Sequence, residues 1–108
     1  MTKKFITHQG DIPIYEVEGF EGIFKSVESQ IVALGEVTGH HHKIVKDRPD
    51  TSLEVAFDGT GYYLRSINGD ALLTHQEHGI QVLPQGKIYY FGRQSEYDPI
   101  EYRRKVQD

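Results

Sequence analysis

The chain has 108 residues, a length that fits one domain with a single hydrophobic core. It contains no cysteine, which excludes disulfides, thiolate metal sites and cysteine nucleophiles. A net charge of −4 argues against general nucleic-acid binding, because that function needs a basic surface. No apolar stretch approaches the roughly 20 residues that span a bilayer, and the N-terminus lacks the apolar segment of a signal peptide. We therefore expect a cytoplasmic protein that binds neither membranes nor nucleic acid.

Short apolar runs separated by turn residues recur about every eight to twelve residues, which is typical of a β-sandwich or small barrel. The first run covers residues 12–17, and Pro13 predicts an edge strand or a strand start because proline cannot donate to a ladder. Residues 18–29 are irregular and predict a loop or one helical turn. Residues 30–37 predict a strand that is apolar enough to be largely buried.

The rest of the chain continues the β pattern. Six more strands are predicted, at residues 40–46, 52–58, 62–67, 71–74, 80–82 and 87–94. Asn68 and Gly69 predict a type I′ hairpin that returns the following strand alongside its predecessor. In the last strand, Tyr89 and Phe91 lie on the face opposite Tyr90. The predicted fold is a single all-β domain over residues 1–108, a barrel or sandwich of seven to eight mostly antiparallel strands. Its polar tail covers about residues 98–108.

Five of the six histidines fall into two short clusters, each beside a predicted strand. In a strand His40 and His42 project to one face while His41 projects to the other. His75 and His78 end another apolar run. Three or four imidazoles suffice for a divalent metal ion, so His40, His42, His75 and His78 are the candidate ligands for zinc, iron, nickel or manganese.

Carboxylates beside the histidines suggest what such a metal site could do. Glu77 stands between the histidines of the second cluster and is a candidate general base, or a hydrogen-bond acceptor for a metal-binding histidine. Asp47, five residues beyond His42, could add a carboxylate ligand. If the protein is an enzyme, the metal would activate water or polarise a small polar substrate. The alternative interpretation is that these are ordinary hydrogen-bonded histidines at a turn and a strand end.

The first histidine cluster resembles the first motif of the cupins, small β-barrels that often hold a metal on histidines. That motif places a glycine before a His-x-His pair and then a glutamate. Here Gly35 precedes the histidines at 40–42 with a spacing one residue short, and Asp47 stands near the glutamate position.

The second cupin motif is also partly present. It has a glycine, then Pro-x-Gly, then a histidine. Here Gly79 precedes residues 84–86, and Tyr89 occupies the place of the last histidine. The resemblance implies a jelly-roll-like barrel and marks Tyr89 as a ligand-binding candidate. It also implies that His75 or His78 would have to replace the missing metal ligand.

A second resemblance covers more of the chain, to small uncharacterised proteins of bacteria and their mobile elements. It implies that both histidine clusters and a C-terminal segment belong to one functional site. Within that segment Arg93 is a second ligand-binding candidate, and Glu96 and Tyr97 could line the same end of the barrel as the histidines. An Arg93–Glu96 ion pair could equally be structural. The segments that carry this resemblance are residues 34–40, 73–78 and 93–99.

Two hypotheses use the histidines without a metal. In the first, the protein is a binding or assembly module whose histidines hydrogen-bond a ligand or a partner protein. In the second, clustered imidazoles sense pH and loosen an interface below about pH 6. Small barrels with open edge strands often pair, so a homodimer is expected in either case.

Overall fold

The computed structural model describes residues 2–10, 12–34, 41–76 and 79–92, and these residues form ten strands and no helix. The all-β prediction is confirmed. Within these ranges, therefore, no helix is long and apolar enough to cross a membrane. The strands are β1 (Thr2–Gln9), β2 (Ile12–Glu18), β3 (Lys25–Val27), β4 (Gln30–Leu34), β5 (His41–Lys46), β6 (Ser52–Phe57), β7 (Gly61–Ile67), β8 (Ala71–Thr74), β9 (Gln81–Leu83) and β10 (Ile88–Gly92).

The strands form two sheets, so the fold is a small sandwich and not a closed barrel. One sheet has six strands in the order β1-β2-β10-β7-β6-β3, and the other has four in the order β4-β5-β8-β9. Every pairing between described strands is antiparallel. The four-stranded sheet consists of two hairpins side by side, joined where β5 pairs with β8.

Apolar side chains from both sheets meet in one core between them. The alternation that indicated half-buried strands produces this core, because every second side chain of a strand faces inward. Its buried members are Ile12, Ile14, Val32, Ile44, Leu53, Val55, Leu64, Ala71, Leu73, Leu83, Tyr89 and Phe91. As predicted, Tyr89 and Phe91 share one face of β10 while Tyr90 lies on the other.

A second, smaller core covers the outer face of the six-stranded sheet. Its buried members are Val17, Ala56, Tyr63 and Tyr90. Phe20 and Phe24, from the irregular segment after β2, pack against it. The segment predicted as a loop or helical turn therefore covers a sheet face, and it ends in the short strand β3.

Strand β1 was not predicted, because its side chains carry almost no burial signal. Only Gln9 of its eight residues is buried. The strand exists because its backbone pairs with β2 along the whole length, from Thr2 opposite Glu18 to Gln9 opposite Ile12. Pro13 is the second residue of β2, which agrees with the predicted strand start.

The hairpin predicted at Asn68 and Gly69 is wrong. Asn68 does adopt the expected positive φ, at 62°. However, β7 belongs to the six-stranded sheet and β8 to the four-stranded sheet, so the turn crosses between sheets. The Asn68 carbonyl accepts hydrogen bonds from Arg48 Nη2 at 3.0 Å and Thr51 Oγ1 at 3.2 Å. These bonds tie the turn to the loop between β5 and β6, which makes the same crossing in reverse.

Two large apolar side chains within the predicted strands are exposed. Ile31 in β4 and Phe57 at the end of β6 both lie on the surface. Ile31 belongs to an edge strand, and its side chain projects from the outer face of the four-stranded sheet. Phe57 packs instead against Tyr62, with ring centroids 4.8 Å apart.

Candidate metal centre

The two histidine clusters meet at one end of the four-stranded sheet. His42 is the second residue of β5 and His75 directly follows β8, and these strands are antiparallel neighbours. The last pair in their register is Lys43 opposite Thr74, so His42 and His75 lie across from each other one position further on. Their ring centroids are 4.4 Å apart, with the ring planes at 43°. The structure thus brings together one candidate ligand from each cluster.

His42 is buried between the sheets. It is 3% exposed and lies on the same face of β5 as Ile44, which belongs to the main core. The alternation of the strand sends His41 to the opposite face, as the sequence predicts. A buried imidazole needs a hydrogen-bonding partner because its desolvation would otherwise be costly.

Gln9 supplies that partner, and it links four segments of the chain. It is 2% exposed at the end of β1. Its Nε2 donates to the carbonyl oxygens of Leu73, at 2.9 Å, and Gly79, at 2.7 Å. Its Oε1 lies 2.8 Å from His42 Nδ1. Since the amide nitrogen already faces two carbonyl oxygens, the oxygen must face the imidazole.

The hydrogen bond from His42 to Gln9 determines how the His42 ring is protonated. An amide oxygen can only accept, so Nδ1 of His42 must carry the hydrogen and donate it. In the neutral ring the lone pair then belongs to Nε2. Metal-binding histidines are usually held in this way, with one ring nitrogen donating to an oxygen acceptor and the other carrying the lone pair that binds the ion.

A second glutamine holds the same end of the sheet on the opposite face. The backbone N–H of His41 donates to Gln76 Oε1 at 2.9 Å, and Gln76 Nε2 donates to His41 Nδ1 at 3.2 Å. Just before His75, the hydroxyl of Thr74 donates to the carbonyl of Lys43 at 3.0 Å. The backbone around His75 is therefore fixed against β5 from both sides.

Several predicted site residues lie outside the described residues. These are His40, Glu77, His78, Arg93, Glu96 and Tyr97. Within the described ranges, no three histidine, aspartate or glutamate side chains lie close enough together to hold a metal ion. Asp47 follows β5 directly, at the opposite end of that strand from His42, and is exposed. Of the four histidines predicted as metal ligands, the structure therefore describes His42 and His75.

Tyr89, the ligand-binding candidate on β10, lies in the main core. It is 2% exposed, and its hydroxyl donates to the carbonyl oxygen of Pro84 at 2.9 Å. Burial, followed by the nearby carboxylates of Glu16 and Asp70, raises the pKa of Tyr89 to about 12. The hydroxyl thus stays protonated and fixes the turn before β10. Ligand contact by Tyr89 stays a prediction.

Sequence reasoning missed Gln9. It adjoins a Gly-Asp pair and reads as part of a turn, and nothing in its neighbourhood indicates burial. Its function depends on contacts with β5, β8 and Gly79, which are more than 30 residues away in sequence. No local pattern could have identified it.

Fold and site together define a class: a small two-sheet β protein in which a buried histidine contacts a half-buried one, and a glutamine fixes the tautomer of the buried ring. The chain belongs to the family described as a domain of unknown function, DUF8820, whose model matches residues 8–94. That match includes Gln9 and both histidine clusters. Comparison with curated proteins and comparison with solved structures each found no match to this chain.

Proposed function

We propose that this protein binds a divalent metal ion through His42 and His75, with His40 and His78 as the further ligands that the sequence predicts. The observation that carries the proposal is the buried hydrogen bond between Gln9 and His42. It holds the ring in the tautomer that places the metal-binding lone pair on Nε2, and it uses an acceptor that is itself fixed by two backbone carbonyls. The contact between His42 and His75 supplies a second imidazole at the same place.

The cupin resemblance is part of this proposal. In that arrangement the last ligand would stand at Tyr89, whose hydroxyl is occupied by the Pro84 carbonyl. His75 instead supplies the missing imidazole, since it lies against His42 while Tyr89 lies in the core. We propose zinc, iron, nickel or manganese as the ion, because imidazole ligands suit most of these metals. We also propose a cytoplasmic location, which the cysteine-free composition supports.

The number of protein ligands would decide whether the site is catalytic. Four ligands would close the coordination sphere and make the metal structural. Three ligands and a water would allow the metal to activate that water or to polarise a small polar substrate, with Glu77 as the acid or base. Arg93 would then be the candidate for binding an anionic part of that substrate.

The test is the metal content of the untagged protein, purified without chelator or added metal. We expect near-stoichiometric metal in the natural sequence and its loss in His42→Ala and in His75→Ala. His8→Ala is the matched control, because His8 is exposed and its Nδ1 donates to the neighbouring Gly10 carbonyl. Ion added at 100 times its dissociation constant should stabilise the apoprotein by about 2.7 kcal/mol.

Two results would contradict the proposal. One is a natural protein that contains no metal and whose melting temperature does not rise with any of the four ions. The other is equal metal content in His42→Ala and His8→Ala. The first result would favour the second candidate function, a metal-free binding or assembly module, and the second would place the metal away from His42.

Among the described residues, no strand pairs with the outer edge of β9, and this edge of the four-stranded sheet favours that second candidate. β9 is an edge strand, and Ile80 and Val82 beside and within it are 62% and 58% exposed. Val82 lies opposite Leu72, which lies opposite Val45 on the next strand, so an apolar row crosses the outer face. A second copy of the chain, pairing β9 with β9 about a twofold axis, would cover both the edge and this row.

A further inference from the structure

An aromatic cluster lies on the outer face of the six-stranded sheet, away from the histidines, and two of its tyrosines, Tyr63 and Tyr90, are only 1% and 7% exposed with Lys3 in place. We call it the tyrosine platform, and it consists of Tyr15, Tyr63 and Tyr90. The ring centroids of Tyr63 and Tyr90 are 4.7 Å apart, and those of Tyr15 and Tyr90 are 6.2 Å apart. Phe20 stacks on Tyr63 at 3.8 Å with nearly parallel planes, which fixes the Tyr63 ring.

The hydroxyls of the platform are held by the turn between β6 and β7. Tyr63 donates to Asp58 Oδ2 at 3.0 Å, and the Tyr90 hydroxyl lies 3.1 Å from Thr60 Oγ1. Asp58 Oδ1 also accepts from the backbone N–H groups of Thr60 and Gly61, at 2.8 and 2.9 Å. The rings are therefore positioned in advance, and a carboxylate stands at their hydroxyl ends.

A cation already occupies this surface. Lys3 Nζ lies 3.9 Å from the centroid of the Tyr90 ring and 5.9 Å from that of Tyr63. Lys3 is exposed on the edge strand β1, opposite Val17 of the platform's own core. None of the ion pairs between described residues involves Lys3. The ammonium group is therefore held against the rings by cation–π attraction.

We propose that the tyrosine platform is a binding site for alkylated ammonium groups and that Lys3 occupies it when no such ligand is bound. Aromatic faces are the usual recognition surface for quaternary and methylated ammonium ions. Such ions lose less hydration free energy on binding than the primary ammonium of Lys3 does, and binding a free ligand does not require a long lysine side chain to become ordered. Both differences favour displacement of Lys3 by the ligand. Lys3 is exposed and its ammonium lies over the buried Tyr90 ring, so a ligand would bind there by displacing the Lys3 side chain.

The proposal differs from a purely structural role for Lys3 in one measurable way. If Lys3 only anchors β1, its removal weakens the strand and exposes no useful site. If Lys3 competes with a ligand, its removal makes the ligand bind more tightly. The matched control is Lys4→Ala, because Lys4 is the next residue on β1, projects to the other face of the sheet and lies opposite Glu16.

The experiment follows the aromatic ring resonances of the tyrosines by NMR during titration with choline. Its neutral isostere, 3,3-dimethylbutan-1-ol, tests for the charge, and a short peptide carrying trimethyllysine tests for a side-chain source of the same group. We expect choline or the peptide to shift the Tyr90 and Tyr63 resonances. Lys3→Ala should bind about fivefold more tightly than the natural protein, which corresponds to roughly 1 kcal/mol. Lys4→Ala should bind like the natural protein.

The tighter of the two cationic probes identifies the source of the ligand. The proposal is overturned if neither probe shifts the tyrosine resonances of Lys3→Ala, or if the neutral isostere shifts them equally. Tyr90→Phe keeps the ring and should keep binding, whereas Tyr90→Leu should lose it. If Tyr90→Leu fails to fold, the comparison of the charged and neutral probes in folded Lys3→Ala still shows whether the tyrosine platform recognises the ammonium charge.

Discussion

Replacing Gln9 by methionine tests the assignment of the buried histidine site. Methionine has a similar length and keeps the apolar contacts, but it can neither donate to the carbonyls of Leu73 and Gly79 nor accept from His42. The substitution thus removes three hydrogen bonds of one buried side chain while leaving little cavity. It also removes the acceptor that fixes the His42 tautomer.

The expected loss of stability follows from these three bonds. A buried donor left without an acceptor costs roughly 1–3 kcal/mol, which applies to the His42 Nδ1 hydrogen. Each of the two amide-to-carbonyl bonds contributes a further 0.5–1.5 kcal/mol or so. The free energy of unfolding should therefore fall by about 2–6 kcal/mol, a large part of the 5–15 kcal/mol typical of a domain.

Chemical denaturation gives the loss, and nitrogen-15 NMR of the imidazole reports the tautomer of His42. The control is Gln76→Met, which removes two hydrogen bonds to His41 at an exposed position where water replaces them. We expect it to lose less than about 1 kcal/mol. The reasoning is refuted if Gln9→Met is as stable as Gln76→Met, or if His42 keeps the hydrogen on Nδ1 in its absence.

The remaining predictions concern pH and assembly. Burial alone would raise the pKa of Asp58, but hydrogen bonds from Thr60, Gly61 and Tyr63 outweigh it and lower that pKa to about 2. The stabilisation from ionised Asp58 is therefore complete above about pH 4 and is lost as the pH falls toward 2. Between these pH values the free energy of unfolding should fall less in Asp58→Asn than in the natural protein, as measured by chemical denaturation. Burial, and then the neighbouring Asp58 carboxylate, raises the pKa of Tyr63 to about 12. The free energy of unfolding should therefore fall between about pH 10 and 12, and it should fall less in Tyr63→Phe. Val82→Lys places a charge on the exposed β9 edge and should convert a dimer to a monomer by sedimentation; an unchanged dimer would exclude this edge.

Much of the fold was predictable because most strands carry an inward-facing alternation. Residues 52–57 and 88–92 show it, and both form strands whose alternate side chains reach the core. β1 carries no such signal, since its backbone pairs with β2 and Gln9 is its only buried side chain. The turn at Asn68 likewise could not be predicted in full from the local sequence. Local chemistry set its positive φ, but the tertiary structure decided that the next strand joins the other sheet, and hydrogen bonds from Arg48 and Thr51 hold the turn there.

The sequence by itself determined the β class, the projection of His41 and His42 to opposite faces and the choice of the histidine clusters as the candidate site. These follow from the period of two along a strand and from residue chemistry, which are local properties. Only the tertiary structure decided that the sheets form a sandwich, that His42 meets His75, and that Gln9 fixes the imidazole. It also decided that Lys3 lies over Tyr90. Each of these depends on which strands become neighbours, and that choice is made by burial of the whole core and not by any one segment.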